Sequence, residues 1–239
     1  IKKMKKVSQL ELDAILSKKK QAYEKGDFEA SRLIFQDLNL SGLDFREFKT
    51  VKADLINIDL SGANLSKVFW EQSKFISVNF TEAILQEASL DQSQISDCNL
   101  SSCKLWQANL NSVRAYRSSF VSVDGLRVSL IKADFHDCNF KDANFEESTA
   151  AKSNFIRSFM QRCRLAKADL RISGFINSDL RFLNITNANI SKSKFIECML
   201  FGIDIKGAIT TDSVGKNIDM SPEGDSSNII KELYFENLI

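Results

Sequence analysis

Several features that would place the sequence in a familiar class of protein are scarce or missing. Among its 239 residues there are one proline, Pro222, and one histidine, His136, and no apolar run approaches 18 residues. Without such a run a membrane-spanning helix is unsupported, and no signal-peptide pattern is present. The formal net charge is only +1, so neither acidic nor basic character dominates.

The composition is that of a structured protein. Hydrophobic residues make up 44% of the sequence, which is enough to bury a substantial core. The first residue is Ile1 rather than methionine, so we expect a fragment, and any targeting segment upstream would be invisible in this sequence.

An uninterrupted five-residue period runs from residue 38 to residue 208. Its central residue is large and apolar at almost every repeat. Two residues earlier stands a small or modest apolar residue, and one residue earlier most often Asp or Asn. Of the 34 central positions from 40 to 205, four are small, namely Thr50, Ala115, Gly125 and Ala150.

This period fits neither an α-helix, which needs apolar spacing near 3.6, nor a strand, which needs a spacing of two. The chain must therefore turn every five residues. If each pentad forms one side of a square, four pentads close a coil of about 20 residues, and coils stack about 4.8 Å apart. Both apolar side chains of each pentad then point into the square.

The pattern A(D/N)Lxx resembles that of the pentapeptide-repeat family, and the segments KADLINIDLSGANL and KADFHDCNFKDANFEES carry the resemblance. It covers about 170 residues. The family implies a right-handed quadrilateral β-helix, which corresponds to about eight coils here. We expect this β-helix over residues 37–210, between a helical N-terminal cap (1–36) and a C-terminal loop and helix (211–239).

The five cysteines support the register independently. All of them occupy the small inward position, two residues before the centre: Cys98, Cys103, Cys138, Cys163 and Cys198. Burial explains this placement, because a free cysteine behaves as a small hydrophobe. We expect reduced thiols in a cytosolic setting, and the lack of a CxxC pair argues against a metal site.

Residues 20 apart should stack in columns inside the square. Trp70 is oversized for its column, and its neighbour one coil earlier is the small Thr50, which indicates compensation of volume. A filled interior leaves no cavity for a substrate or cofactor, so function is expected on the outer walls or at the ends.

Catalytic machinery is not evident. His136 has an outward position beside Asp134 and Asp137, and no GxSxG, Walker or GxGxxG motif occurs. Carboxylates on a flat solvated wall lack the desolvation that tunes their pKa values. The sequence therefore predicts a protein without enzymatic activity, cofactor or metal.

Both ends of such a stack need caps. Ser8 to Glu11 has the form of a capping box, which predicts a helix to about Glu24 with Leu10, Ala14 and Ile15 on one side and Gly26 as its end. Asp27 would cap a second short helix through Ile34.

At the C-terminus the repeat fades after Ala208. The last twelve residues show helical spacing of apolar side chains, which predicts a helix that plugs the stack or forms a homodimer. The residues of this cap or dimer helix are Ile230, Leu233, Tyr234 and Leu238.

Outward aromatic residues indicate a partner site. One wall is predicted to present an apolar and arginine-bearing patch over three successive coils, of the kind found at binding hot spots. The residues of this partner-binding patch are Phe159, Arg162, Arg181, Phe182, Met199 and Phe201. An alternative is that the C-terminal helix folds back over it.

Two classes of function follow. The first is a non-enzymatic protein-interaction rod or scaffold in the cytoplasm where it acts, one form of which is a bacterial effector delivered into another cell. The second is the DNA-mimicking, gyrase-binding branch of the family, the quinolone-resistance type. Charge argues against the second, because seven basic residues face two acidic ones between residues 151 and 181, a balance of about +5. Direct binding of nucleic acid is a weaker third alternative, because no aromatic stacking platform follows a basic groove.

Overall fold

The computed structural model describes residues 4–224, 226 and 228–238, where two α-helices precede a stack of short strands. The helices are α1 (Gln9–Glu24) and α2 (Phe28–Ser31). The strands of the first coils are β1 (Lys5–Lys6), β2 (Ile34–Asn39), β3 (Lys49–Val51), β4 (Asp54–Asp59), β5 (Phe69–Glu71), β6 (Lys74–Ile76) and β7 (Gln94–Ser96). The later strands are β8 (Arg114–Tyr116), β9 (Asp134–His136), β10 (Asn154–Ile156), β11 (Gly174–Ile176), β12 (Lys194–Ile196), β13 (Val214–Asp219) and β14 (Ile229–Tyr234), followed by a 3-10 helix (Phe235–Leu238).

Left-handed backbone at every fifth residue turns the chain. From Asp37 to Asn217 each residue two positions after a repeat centre has positive φ, and 33 of these residues are not glycine. At the corner after Phe80, for example, Glu82 has φ 60° and the Ala83 N–H donates to the Phe80 carbonyl at 2.8 Å. This is the geometry of a type II turn, and it recurs at most corners of the square. The corners after Phe75, Ile95, Phe135 and Phe155 keep the positive φ without this hydrogen bond.

The Asp or Asn that precedes each centre supports the backbone of its pentad. The side chain of Asn79 accepts a hydrogen bond from the Thr81 N–H at 3.1 Å, and Asn99 does the same for Ser101 at 3.0 Å. Such contacts between a side chain and the backbone two residues on are a property of Asn and Asp that favours turns. The recurrence of these residues in the sequence therefore has a local cause.

The coils stack in a register of 20 residues and form about nine turns. Phe155, for example, pairs with Phe135 below and Phe175 above. We number the four walls by the pentads that form them: wall 1 is centred on Leu40 and every twentieth residue thereafter, wall 2 on Phe45, wall 3 on Thr50 and wall 4 on Leu55. Wall 4 carries a 12-stranded sheet that includes β1, β2 and β14 and is parallel except for the final pair, β13 with β14.

The interior is filled by the central residues, as predicted. Rings on wall 4 stack along the rod, with centroids 5.2 Å apart for Phe155 and Phe175 and 4.7 Å apart for Phe175 and Phe195. Trp70 is fully buried beside its partner Thr50, so the predicted compensation of volume is confirmed.

The N-terminal cap agrees with the sequence in its first helix and departs from it in detail. Ser8 and Glu11 form the predicted capping box, and α1 ends at Glu24. However, its buried residue is Leu12. Of the three residues predicted to share one side, Ile15 packs against the core, whereas Leu10 and Ala14 are exposed.

The second helix is also shorter than predicted. Asp27 caps α2 as expected, but α2 ends at Ser31, and Ile34 begins β2 instead of ending a helix. The reason is that residues 34–39 already pair with residues 54–59 in the register of the coils. The strand ladder thus begins before residue 37.

The predicted C-terminal helix is wrong. Residues 214–219 still belong to the stack as β13, and the chain then returns as β14, antiparallel to it. Ile230 is half-buried and Leu233 buried, whereas Tyr234 and Leu238 are exposed. The last turn of the stack leaves backbone groups without partners, and a strand satisfies them where a helix could not. Phe235 is buried against Phe195 at a centroid distance of 4.5 Å and closes this end.

Candidate protein-interaction surface

The six residues of the predicted patch all lie on wall 1. Phe159 is in register with Asp179, which is in register with Met199, and the Phe182 N–H donates to the carbonyl of Phe201 in the next coil. The period of 20 therefore brings together residues that are up to 42 positions apart in the sequence.

The aromatic side chains of this patch are partly open to solvent. Phe159 is 52% exposed and Phe182 is 49% exposed, while Phe201 is half-buried. The rings of Phe182 and Phe201 meet edge to face with centroids 5.6 Å apart. We call the three residues Phe159, Phe182 and Phe201 the aromatic ridge.

Phe182 occupies a corner with φ 59°, a conformation that costs energy for a bulky residue. Its ring extends along the rod over Gly202, where an added Cβ would lie 2.5 Å from the ring. The missing side chain at 202 thus provides the space in which the exposed ring rests.

The arginines of the patch are held by neighbouring carboxylates. Arg162 donates to both oxygens of Asp142, from Nε at 2.6 Å and from Nη2 at 2.9 Å. These hydrogen bonds lower the pKa of the Asp142 carboxyl below its usual value. Arg181 binds Asp179 in the same bidentate way, and its Nη1 donates to the carbonyl of Pro222 at 3.0 Å.

The C-terminal loop therefore covers part of the patch. It reaches wall 1 at Arg181, and Gly224 lies close enough to Met199 that an added Cβ would collide with the Met199 sulfur. The covering segment is a loop, not the predicted helix. It leaves the aromatic ridge accessible at Phe159 and Phe182.

The basic excess counted between residues 151 and 181 is not a basic surface. Six of the seven cations form ion pairs, four of them with acidic residues of the preceding coil, which the count along the chain left out. The pairs are Arg157–Asp137, Arg162–Asp142, Arg164–Glu146, Lys167–Glu147, Arg171–Asp169 and Arg181–Asp179. The predicted local balance of +5 thus does not describe the surface.

The residues considered for chemistry are placed without a catalytic arrangement. The ring of His136 stacks on Tyr116 at a centroid distance of 5.3 Å on wall 4. All five cysteines are free and buried, and burial raises the pKa of Cys103, Cys138 and Cys198 to about 12. Among the described residues no group of three or more potential ligands could hold a metal ion, and no helix could cross a membrane.

The N-terminal end has a concave groove that the sequence did not reveal. A groove of about 1270 Å³ lies between the two helices and the first coil, with Tyr23 of α1 and Phe28 of α2 on one side and Asp44 and Arg46 on the other. Its lining depends on how α1 crosses the stack, for which the repeat carries no signal.

A four-walled β-helix with a filled interior defines a repeat scaffold. Two profiles match the sequence, one described as pentapeptide repeats (8 copies) at residues 53–92 and one as pentapeptide repeat region at residues 93–170. The chain belongs to the pentapeptide-repeat family.

A solved structure with a TM-score above 0.5 has a similar fold. A trypsin-treated form of QnrB1, a plasmid-mediated fluoroquinolone resistance protein, is 16% identical with a TM-score of 0.55, over 66% of this chain and 90% of that chain. HetL, a pentapeptide repeat protein involved in heterocyst differentiation regulation in the cyanobacterium Nostoc sp., is 20% identical with a TM-score of 0.35, over 86% and 96%. A search of curated proteins finds no match.

Proposed function

We propose that the protein is a non-enzymatic interaction rod that binds a protein partner through the aromatic ridge of wall 1. The observation that carries this proposal is the conformation of Phe182. A large apolar side chain stands half-exposed at a corner where its positive φ costs energy, and the neighbouring Gly202 makes room for it. Strained residues tend to be kept where they act in binding.

The surroundings of the ridge suit a protein interface. Aromatic residues and arginine are enriched at binding hot spots, and Arg162 and Arg181 flank the rings in fixed orientations. Since both guanidinium groups are already paired, we expect the partner to contribute an apolar centre and polar groups at its rim, not a cluster of carboxylates.

A comparison of ridge variants tests the proposal. Phe182→Ser should leave the fold intact, because Ser102 and Ser122 adopt the same conformation at the same corner in other coils. A partner captured from the native cell should be purified, and its affinity for the wild type and for Phe182→Ser and Phe159→Ser measured. We expect losses of about tenfold or more for each variant.

The matched control is Trp106→Ser, which removes an aromatic residue that is 37% exposed on wall 2. This variant should bind as tightly as the wild type. Equal affinity of all variants would place the partner elsewhere on the rod and overturn the role of the ridge.

A second candidate is a gyrase-binding rod. The fold similarity to QnrB1 favours it. Because the arginines are paired with carboxylates, a basic surface no longer argues against it. The surface lacks the acidic excess that a mimic of DNA needs, so we favour the first function. Inhibition of gyrase supercoiling, or protection of gyrase from a fluoroquinolone, at micromolar protein would support the second candidate.

The five free, buried thiols support action in a reducing compartment, and we propose the cytoplasm. Whether this is the cytoplasm of the producing bacterium or, for a delivered effector, of a host cell is tested by following a tagged chain through cell fractions.

A further inference from the structure

Wall 3 carries two groups of charges that form no ion pair within the described part of the chain. Towards the N-terminal end these are the carboxylates of Glu71 and Asp91, and towards the C-terminal end they are the ammonium groups of Lys152 and Lys192. Beyond these groups the ends of the wall carry the opposite sign, with Lys49 and Lys52 before Glu71 and Asp212 after Lys192, so the signs alternate along the rod as basic, acidic, basic and acidic. Ile131, which is 36% exposed, lies between the acidic and the basic group.

The charges of this wall are complementary to those of a second copy of the wall that runs in the opposite direction. Consider a two-fold axis that lies in the plane of the interface, passes Ile131 and runs perpendicular to the long axis of the rod. It places each column of outward residues against the same column of a second, antiparallel copy. Residues at equal distances from the axis along the stack then face each other. Because residue 131 lies midway between 51 and 211, this axis uses the whole length of the wall.

We propose that wall 3 is the interface of an antiparallel homodimer. Arg171, which also binds Asp169 of its own pentad, and Asp91 lie 40 residues on either side of Ile131 and face each other across the axis. Lys192 faces Gln72 of the second copy and reaches the carboxylate of Glu71 in the neighbouring column, and Lys52 faces Asp212. Two-fold symmetry forms each contact twice.

The shape of the wall agrees with this pairing. A depression of about 420 Å³ is lined by Ala151, Lys152, Arg171, Ile172, Ser191 and Lys192. In the dimer the column of Ile131 places Asn111, Asp91 and Glu71 opposite this depression, and the column of Lys132 places Ser112, Gln92 and Gln72 there. Two carboxylates therefore face a depression that carries Lys152 and Lys192, while Arg171 is also paired with Asp169.

Ile172, which lines the depression, gives independent support. It is a β-branched residue with φ 62° and is 52% exposed, although polar residues take the same corner position in the coils on either side. A strained apolar residue kept on a surface indicates that its side chain makes a contact.

The dimer would leave the aromatic ridge free. Wall 1 lies on the opposite side of the square from wall 3, so two ridges would point away from each other. The interface does not depend on the function proposed for the ridge, but it would make that function bivalent.

Charge reversal tests the interface by sedimentation. At about 100 µM, high enough for a small and polar interface, the 27.0 kDa chain should sediment as a dimer. Lys192→Glu and Glu71→Lys should each weaken dimerisation by about tenfold or more, and the double variant with both changes should restore it. Lys132→Gln should strengthen it, because two copies of Lys132 meet beside the axis.

Lys104→Glu, a reversal on wall 2, is the matched control and should leave the dimer unchanged. A chain that remains monomeric, a dimer that survives both single reversals, or a double variant that does not recover would overturn the proposal. A dimer that survives would be formed by another surface, such as the edge of β14.

Crosslinking locates the axis. The native cysteines are buried, so a cysteine introduced at 131 is the accessible thiol, and Ile131→Cys should be joined to its own copy by a bismaleimide that spans about 10 Å, the distance between packed sheets. Ile209→Cys lies four coils from the axis on the same wall, so its two copies would be about 38 Å apart and should stay unlinked. Linking of the 209 variant instead of the 131 variant would contradict the axis.

Discussion

Arg157 donates two hydrogen bonds to Asp137, the residue one coil earlier in its own column, from Nε at 2.7 Å and from Nη2 at 2.8 Å. The same bidentate contact joins Arg117 to Asp97 and Arg162 to Asp142. Partners that are 20 residues apart in the sequence thus hold successive coils together on the outside of the rod, beyond the reach of the packed side chains of the core.

These clamps predict a loss of stability in acid. Hydrogen bonds from the paired arginine lower the pKa of Asp97, Asp137 and Asp142 below their unfolded values. A carboxyl with a lowered pKa in the folded state stabilises the protein above its unfolded pKa, and this contribution is lost as pH falls through the folded value. The thermal midpoint should therefore fall below about pH 4.

The matched variant replaces all three aspartates by asparagine. It should have a lower midpoint than the wild type at pH 7 and a smaller change between pH 5 and pH 3. If the wild type and the variant lost the same stability over that range, other carboxylates would be responsible.

A second prediction concerns strain at the corner residue Ile172. Asn177 and Asn187 adopt the same left-handed conformation in neighbouring pentads, and asparagine tolerates it better than a β-branched residue does. Ile172→Asn should therefore raise the free energy of unfolding by about 0.5 to 1 kcal/mol in denaturant titrations of the dilute monomer.

Ile176→Asn is the control, because Ile176 lies in the extended strand β11 and is half-buried. This change should destabilise the protein. Destabilisation by both substitutions would show that contacts of Ile172 outweigh its strain.

A third prediction concerns the thiols. Burial raises the pKa of Cys98 to about 11 and that of Cys103, Cys138 and Cys198 to about 12, and it raises the pKa of Cys163 as well, so less than about one thiol in a hundred is ionised at pH 8. The native protein should not react with a thiol reagent over minutes, and all five cysteines should react in denaturant. Rapid reaction of a native thiol would contradict the inward register.

The sequence predicted the stack well because its signal is repeated. Each coil buries the same two positions, so the period that places Phe155 also places Phe175, and their pairing follows from counting. The volume match of Thr50 and Trp70 follows from the same columns.

The ends could not be predicted in this way, because there the repeat no longer applies. Ile230, Leu233 and Tyr234 have a spacing that fits a helix in a short window, but the unpaired edge of β13 decides in favour of a strand. Leu10 was grouped with Ala14 and Ile15 on one side of α1, yet Leu10 is exposed, and Leu12, Ile15 and Leu16 pack against the stack.

The sequence predicted which residues of the patch share wall 1, but it could not predict which groups those residues contact. Counting placed Phe182 and Phe201 on one wall, but the contact of Arg181 with the Pro222 carbonyl depends on the path of a loop. The charge count failed because Arg157 is neutralised by Asp137, which lies outside the segment that was counted.

The inward register, on which the fold and the outer placement of function depend, is tested most directly by two lysine substitutions in one pentad, compared by circular dichroism and denaturant titration. Leu100 is fully buried at a repeat centre, whereas Ser102 is exposed at the next corner, a position that lysine occupies at Lys132 and Lys152. Leu100→Lys should unfold the rod because it buries an unpaired charge, and Ser102→Lys should change the free energy of unfolding by less than about 0.5 kcal/mol. If the rod tolerated both substitutions equally, the assignment of inward and outward positions would be wrong.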